Sequence, residues 1–293
     1  MKEQNLILNK IDAFELSDIF DCGQCFRWNK ELDGSYTGVV KNGVLNVSCD
    51  KKHIFFKGML DCDISEFVKN YFDLDRDYEK IKKILSVIDE NMKKSVEYGS
   101  GIRILNQDLW ETIISFIISA NNNIPRIKGI IERLCAKYGS EVCFNNKKYY
   151  LFPTAEQLKD VTVAEFRSLG LGFRDIRLYE TTNLIHSGNF NLESLYSLDT
   201  ESARAQLLNL SGVGSKVADC ILLFSDLKRF DIFPIDVWVR RVVNDLYIGN
   251  SDESKVSKNT INKLALDKFG NLAGIAQQYL FYWVRSTSGM AKK

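Results

Sequence analysis

Alternating apolar and polar positions mark the beginning of the chain as strands. Ser35-Tyr36-Thr37-Gly38-Val39-Val40 and Val44-Leu45-Asn46-Val47 flank Asn42-Gly43. That dipeptide favours the positive φ values of a two-residue hairpin turn. Asp33-Gly34 marks the turn before it, and His53-Ile54-Phe55-Phe56 predicts a further strand, so residues 25–60 read as antiparallel strands. Between Asp63 and Lys94 the apolar spacing changes to three and four, with Phe67, Tyr71, Ile81, Ile84, Leu85 and Ile88 in helical register. Residues 1–99 therefore predict an α+β domain.

From Gly101 onward the pattern is helix after helix, which predicts an all-helical region over 100–293. Trp110, Ile113, Ile114, Ile117 and Ile118 make one strongly apolar helix that stops at Ser119-Ala120-Asn121-Asn122-Asn123. Ile124 to Lys137 makes the next. Phe166 to Leu169 runs into a glycine-rich break, Gly170-Leu171-Gly172-Phe173-Arg174. Glu201 to Leu208 and Lys216 to Ser225 predict two helices either side of Leu210-Ser211-Gly212-Val213-Gly214-Ser215. Val237 to Tyr247 and Leu272 to Arg285 are the last helices, and the polar stretch Gly249 to Asn259 reads as a loop.

The hairpin over 210–216 carries the most informative chemistry. Two glycines one residue apart let the backbone turn sharply and approach another molecule closely. The next helix aims free N–H groups and its positive dipole end outward, a place for a phosphate. An ammonium is disfavoured there, so the Lys216 pKa is expected to move down, toward a neutral nucleophilic amine. Asp236, in Phe233-Pro234-Ile235-Asp236-Val237, is a carboxylate that stabilises a developing cation, and it also reads as a helix N-cap after a proline. A Gly-x-Gly turn is also an ordinary connection with its lysine on a solvated face, so the motif by itself leaves both readings open.

Composition narrows the class. Hydrophobic residues make up 45% and charged residues 26% of the 293, as in a soluble globular protein. No apolar run is long enough to span a membrane, and the first residues lack the apolar core of a signal peptide, so an intracellular protein is expected. The seven cysteines have no regular spacing. Cys22 and Cys25 form a C-x-x-C without the second pair of a zinc site, so reduced thiols and no metal site are expected. A net charge of +1 does not decide for or against nucleic acid. A local basic group does exist in Arg126, Lys128, Arg133, Lys137, Lys147 and Lys148, opposed by Glu132 and Glu141.

Taken together, these segments resemble the helix-hairpin-helix (HhH-GPD) glycosylase superfamily. The hairpin through Lys216-Val217-Ala218-Asp219-Cys220, followed by Pro234-Ile235-Asp236, carries the likeness. Within that superfamily the chain resembles the 8-oxoguanine DNA glycosylases. Gly23-Gln24-Cys25-Phe26-Arg27-Trp28 is similar to their N-terminal motif. Gly101-Ile102-Arg103-Ile104-Leu105, Ser119 to Ile124, Leu171-Gly172-Phe173-Arg174 and Ala273-Gly274-Ile275-Ala276-Gln277 are similar to others in the same order.

The resemblance implies a TBP-like α+β domain at 1–99 and the glycosylase region at 100–293. It implies an enzyme of base excision repair that flips 8-oxoguanine out of double-stranded DNA, cleaves its N-glycosidic bond and then nicks the strand as an AP lyase. Lys216 is the implied nucleophile and Asp236 the implied stabiliser of the sugar cation. Gly23 would read the N7–H of the lesion with its carbonyl, Gln277 its Watson–Crick edge, and Cys220 and Phe281 would sandwich the base. Asn121, Arg126 and Arg174 would face the orphaned base, with Phe173 as the wedge. Pro125 before Arg126 and phenylalanine in place of a tyrosine wedge imply relaxed reading of that partner base. Backbone N–H groups of Val213, Gly214, Ser215 and Lys216 would hold phosphates, with Trp238 at a neighbouring phosphate. No cofactor is implied, apart from a structural cation on the hairpin carbonyls, and a monomer is expected. Two alternatives are an endonuclease III-like glycosylase for other oxidised bases and a non-catalytic DNA-binding hairpin module.

Overall fold

The computed structural model describes residues 1–287; residues 288–293, the end of the expected helical region, lie outside the described residues. The strands are β1 (Lys2–Asn9), β2 (Trp28–Lys30), β3 (Tyr36–Val40), β4 (Gly43–Cys49) and β5 (His53–Leu60), in one antiparallel sheet of order β1-β5-β4-β3-β2. Val40 pairs with Gly43, so the tight turn is Lys41-Asn42, one residue earlier than the Asn42-Gly43 turn expected, and Gly43 opens β4. Strand β1 is not among the expected strands. Its Gln4, Leu6 and Leu8 alternate inward, a period-two signal interrupted by the exposed Ile7.

Each face of the sheet is covered by a different partner. Helices α1 (Leu16–Phe20) and α2 (Ile64–Tyr71) bury Ile19, Phe20, Ile64 and Val68 against Tyr36, Leu45, Val47, Ile54 and Phe56. Phe20 and Trp28 stack at 4.1 Å between ring centres. The other face packs Val39 and Val44 against Val142 and Phe144. These last two belong to β6 (Glu141–Phe144) and β7 (Lys147–Tyr150), a hairpin inside the region expected to be all-helical. Its turn is Asn145-Asn146, both at positive φ, a conformation that asparagine tolerates better than most residues.

The helices that follow the sheet are α3 (Tyr78–Ser86), α4 (Glu90–Tyr98), α5 (Leu109–Ser119) and α6 (Ile124–Tyr138). After the small hairpin come α7 (Val163–Ser168), α8 (Asp175–His186), α9 (Ser194–Ser197), α10 (Thr200–Leu207), α11 (Ser215–Phe224), α12 (Val237–Val243), α13 (Lys258–Phe269) and α14 (Ala273–Thr287). Helix α13 begins inside the stretch expected to be a loop, with Ser257 as its cap. Helix α5 is apolar on every side because helices α6, α8 and α11 all pack on it.

The boundary expected at residue 99 divides elements that share a core. Ile81, Leu85, Met92 and Val96 of α3 and α4 are buried with the helical residues, and α4 packs along α14. Their apolar stripe points away from the sheet, and Lys268 ties the α4 cap Asp89 to α13 at 2.9 Å. The sheet unit therefore ends before α3.

Helix α14 passes close to α11 at Gly274. A Cβ there would meet Leu223 Cδ1 at 2.7 Å and the Ile232 carbonyl at 3.2 Å, while the Gly274 N–H donates to the Phe230 carbonyl at 2.8 Å. Gly274→Ala gains about 1 kcal/mol of helix propensity. It loses about 1–3 kcal/mol to overpacking. The expected outcome is a lower urea midpoint at unchanged m-value. A midpoint equal to or above that of the wild type would contradict this close approach.

Candidate active site

The turn between α10 and α11 is set by Gly212. Its φ is +86, and a Cβ would sit 3.0 Å from Ile117 Cγ2 and from Arg177 Cδ, so only glycine fits. Val213 N–H donates to the Leu210 carbonyl at 3.0 Å and closes the turn. That amide is consumed, which removes Val213 from the expected phosphate donors. Gly214 is the N-cap of α11, is exposed, and has nothing within 4 Å of an added Cβ. No side chain caps this helix, so the Gly214, Ser215 and Lys216 amides have no hydrogen-bond partner among the described residues. Helix N-termini left open in this way bind anions.

Lys216 lies one residue into α11, its Nζ 5.3 Å from the centre of the Phe116 ring. One helical turn on is the buried Cys220. Burial pulls the lysine pKa down, but the Cys220 sulfur and the Asp236 carboxylate outweigh it, and the net direction is up. The net direction is thus opposite to the downward shift expected from the helix dipole, and the Asp236 carboxylate contributing to it is brought near only by folding. Burial pushes Cys220 itself up to about 11, so at neutral pH it is an uncharged thiol, and the charge that remains to hold the lysine up is the Asp236 carboxylate. Asp236 follows Phe233, Pro234 and Ile235, all buried, which fix the entry to α12. Its Oδ1 accepts the Val239 N–H at 2.8 Å. It is therefore a helix cap and also a charge acting on the lysine.

A second group of residues meets at the loop before β2. Gly23 has φ +94, and a Cβ on it would lie 3.7 Å from Phe281 Cε1. The neighbouring carbonyls are all tied: Asp21 to Arg285, Cys22 to Gln278 at 2.8 Å, and Gln24 to Gln107 at 2.8 Å. No hydrogen bond reaches the Gly23 carbonyl itself among the described residues. Gln277 and Phe281 lie one turn apart on α14. Gln277 is 6% exposed, and its Oε1 is buried with no donor. An unpaired buried amide oxygen costs about 1–3 kcal/mol. Such a cost is retained where a ligand supplies the missing donor.

The residues expected at the partner strand divide into two kinds. Asn121 is exposed at φ +50, Arg126 is exposed with one contact, Nη2 to the Gly170 carbonyl at 3.2 Å, and Phe173 is 52% exposed. Arg174 is 2% exposed, and its guanidinium donates to the carbonyls of Ala120, Leu171 and Asn121. In this structure Arg174 holds the Asn121 turn and backs the Phe173 ring at 4.2 Å, and does not reach outward like Arg126. Trp238 is half-buried, with Arg241 5.9 Å over its ring.

The basic group on and after α6 is largely spent on structure. Lys128 donates to the Trp28 carbonyl, Arg133 to the Leu169 carbonyl, and Lys137 and Lys148 pair with Glu165 and Glu141. Cys22 and Cys25 are both free thiols and belong to different core clusters. Sequence reasoning passed over Gln24, Gln107 and Gln278, the amides that fix the Gly23 loop. The pairing of Gly23 with Gln24 was the available signal.

Residues 6–113 match the family model of the 8-oxoguanine DNA glycosylase N-terminal domain, and residues 114–265 that of the HhH-GPD superfamily base excision DNA repair proteins. The chain belongs to the 8-oxoguanine DNA glycosylase family. The N-glycosylase/DNA lyase of Saccharomyces cerevisiae is 30% identical over 94% of this chain and 84% of that one. The 8-oxoguanine glycosylase/lyase of Clostridium acetobutylicum in its apo form is 42% identical, with TM-score 0.90 over 96% of this chain and 98% of that chain. The same enzyme with duplex DNA containing cytosine opposite 8-oxoG is 41% identical, again at TM-score 0.90.

In this family member, the Asp236 cap and the Asp236 charge are separable. Asn caps as well as Asp, whereas Ala loses about 0.5–2 kcal/mol. Asp236→Ala should lower the melting temperature while Asp236→Asn leaves it nearly unchanged. Equal melting of Ala and wild type would remove the cap.

Proposed function

We propose that this chain is a bifunctional DNA glycosylase/AP lyase of base excision repair that excises 8-oxoguanine from duplex DNA. The observation that carries the reading is the Lys216 amine held at the open end of the hairpin within the field of Asp236. The hairpin amides of Gly214, Ser215 and Lys216 receive the phosphodiester, and the target nucleotide turns out of the stack so that its C1′ becomes reachable. Lys216 attacks as the neutral amine, any proton on it having been lost beforehand. Its nitrogen bonds C1′, the glycosidic bond breaks, and the base departs with the electron pair and gains a proton. Asp236 stabilises the positive sugar as that bond lengthens. Loss of a proton from nitrogen and opening of the ring give an imine, which acidifies C2′. Elimination of the 3′ phosphate then nicks the strand.

Gly23, Gln277, Phe281 and Cys220 form the base pocket in this reading. The untied Gly23 carbonyl accepts the N7–H that oxidised guanine has and guanine lacks, and Gln277 Oε1 accepts from the Watson–Crick edge. A mismatch leaves one group unpaired, at about 1–3 kcal/mol. A structural cation, where one binds, belongs to the hairpin main-chain carbonyls and supplies nothing to the reaction, whose nucleophile is the lysine. The protein works as a monomer, since one chain supplies every named group, and acts inside the cell, where its substrate is. No helix among the described residues is long and apolar enough to cross a membrane.

The test is borohydride trapping and single-turnover excision on 8-oxoguanine duplexes. Lys216→Gln should abolish both while DNA binding survives, and Asp236→Asn should slow excision more than about tenfold, given about 2.7–4 kcal/mol for one such electrostatic contact. Substantial base release by purified Lys216→Gln would refute the assignment and return the chain to a binding module.

Reading of the partner base is relaxed. Arg174 has committed its donors to main-chain carbonyls, and Arg126 rests on one long contact, so few donors stand fixed for the acceptors of cytosine. Excision opposite cytosine should exceed that opposite adenine, guanine or thymine by less than about a hundredfold, the discrimination of two good base contacts. A larger ratio would show that Arg126 is held firmly by the DNA.

A further inference from the structure

Helix α14 carries a third residue in register with the pocket. Arg285 follows Phe281 by four positions, as Phe281 follows Gln277, so the three share one helix face. Its guanidinium makes two contacts and one close approach around the Gly23 loop. Nη2 donates to the Asp21 carbonyl. The guanidinium carbon lies 5.2 Å from the centre of the Phe281 ring, within cation–π range. Nη1 stands 3.0 Å from the point a Gly23 Cβ would occupy, and Phe281 Cε1 stands 3.7 Å from the same point. Arg285, Phe281 and Gly23 thus converge on one spot.

We propose that Arg285 is a positioning residue of the lesion pocket, holding the Gly23 carbonyl and the Phe281 ring in the geometry that reads the base. The proposal rests on the pocket assignment given above. Three side chains tie the carbonyls around Gly23. Gln278 is buried and Gln107 half-buried, while Arg285 forms the tie beside Phe281 near the end of α14. Without the third tie, a glycine at φ +94 is free to swing, because glycine has no side chain to restrict it. A guanidinium suits the place: its edge grips a carbonyl while its flat face covers a ring, and a lysine point charge does only one of these. Nε and Nη1 make no hydrogen bond among the described residues, which leaves donors for an oxygen of the incoming nucleotide.

The test compares wild type, Arg285→Ala and Arg285→Lys on two substrates under single-turnover conditions. One is an 8-oxoguanine duplex, scored for base release. The other is an abasic duplex, scored for strand cleavage, which uses the same lysine with no base to read. Arg285→Ala should lower the ratio of excision to abasic cleavage by roughly tenfold or more, the loss of one charge-assisted hydrogen bond. Arg285→Lys should fall between, because it keeps a charge near Phe281 and loses the fork. If the alanine variant fails to fold, the lysine variant decides by the same ratio. A ratio within about twofold of wild type, as for uncoupled sites, overturns the role. A wild-type protein that cleaves abasic DNA and leaves 8-oxoguanine untouched overturns the pocket assignment, and this role with it.

Discussion

The side chain of Gln24 has no exposed surface, and the geometry of the pocket depends on where its amide goes. Its nitrogen donates to the Ile19 and Arg103 carbonyls, and its oxygen accepts the Leu105 N–H. Those bonds join the loop before β2 to the segment that leads into α5, so the sheet unit and the helical unit meet there in one arrangement. Each such bond adds only about 0.5–1.5 kcal/mol net, but breaking one leaves a buried polar group at a cost of about 1–3 kcal/mol. The asymmetry makes the junction specific. Gly23 sits next to Gln24, and its position against Phe281 follows from that junction.

The hairpin shows the opposite economy. A helix start without a side-chain cap, a lysine at the positive end of a dipole and a buried glutamine oxygen without a donor are each unfavourable in the free protein. In the proposed reading they lie within or beside one site, and the rest of the chain offsets them. Most other helices are capped in the usual way, with Asp63, Asp89, Asp108, Asn123, Thr162, Asp199 and Ser257 accepting main-chain N–H groups. Helix α11, like α1, α8 and α9, has no side-chain cap, and in the proposed reading its open end receives the phosphate.

Charge is used in a similar way. A net charge of +1 leaves little general attraction for DNA. Many basic residues of α6 and its surroundings satisfy carbonyls or acidic neighbours, as Lys128 and Arg133 do. Arg174 goes further and is buried as a brace for the Asn121 turn. In the proposed reading, recognition therefore relies on open main-chain amides, an exposed aromatic at Phe173 and a few loosely held donors.

The sequence by itself determined the strand and helix classes, the hairpin, and Lys216 and Asp236 as residues of interest, while Gly23, Gln277 and Phe281 came from the family resemblance. These signals are local: periodicity, turn dipeptides, paired glycines and ordered motifs survive without knowledge of the neighbours. Strand β1 and helix α13 were missed because their patterns are short or interrupted and their partners lie far along the chain. Tertiary structure alone decided the placement of α3 and α4 in the helical core, since an apolar stripe does not say which surface it will meet. It also decided the direction of the Lys216 pKa. A helix dipole is legible in sequence, whereas the Asp236 carboxylate comes near the amine only after folding. The same holds for Arg174 and Arg285. Arg285 lies in an unremarkable context and Arg174 in a motif that points to the partner base, and only the carbonyls around them distinguish a brace from a solvated charge.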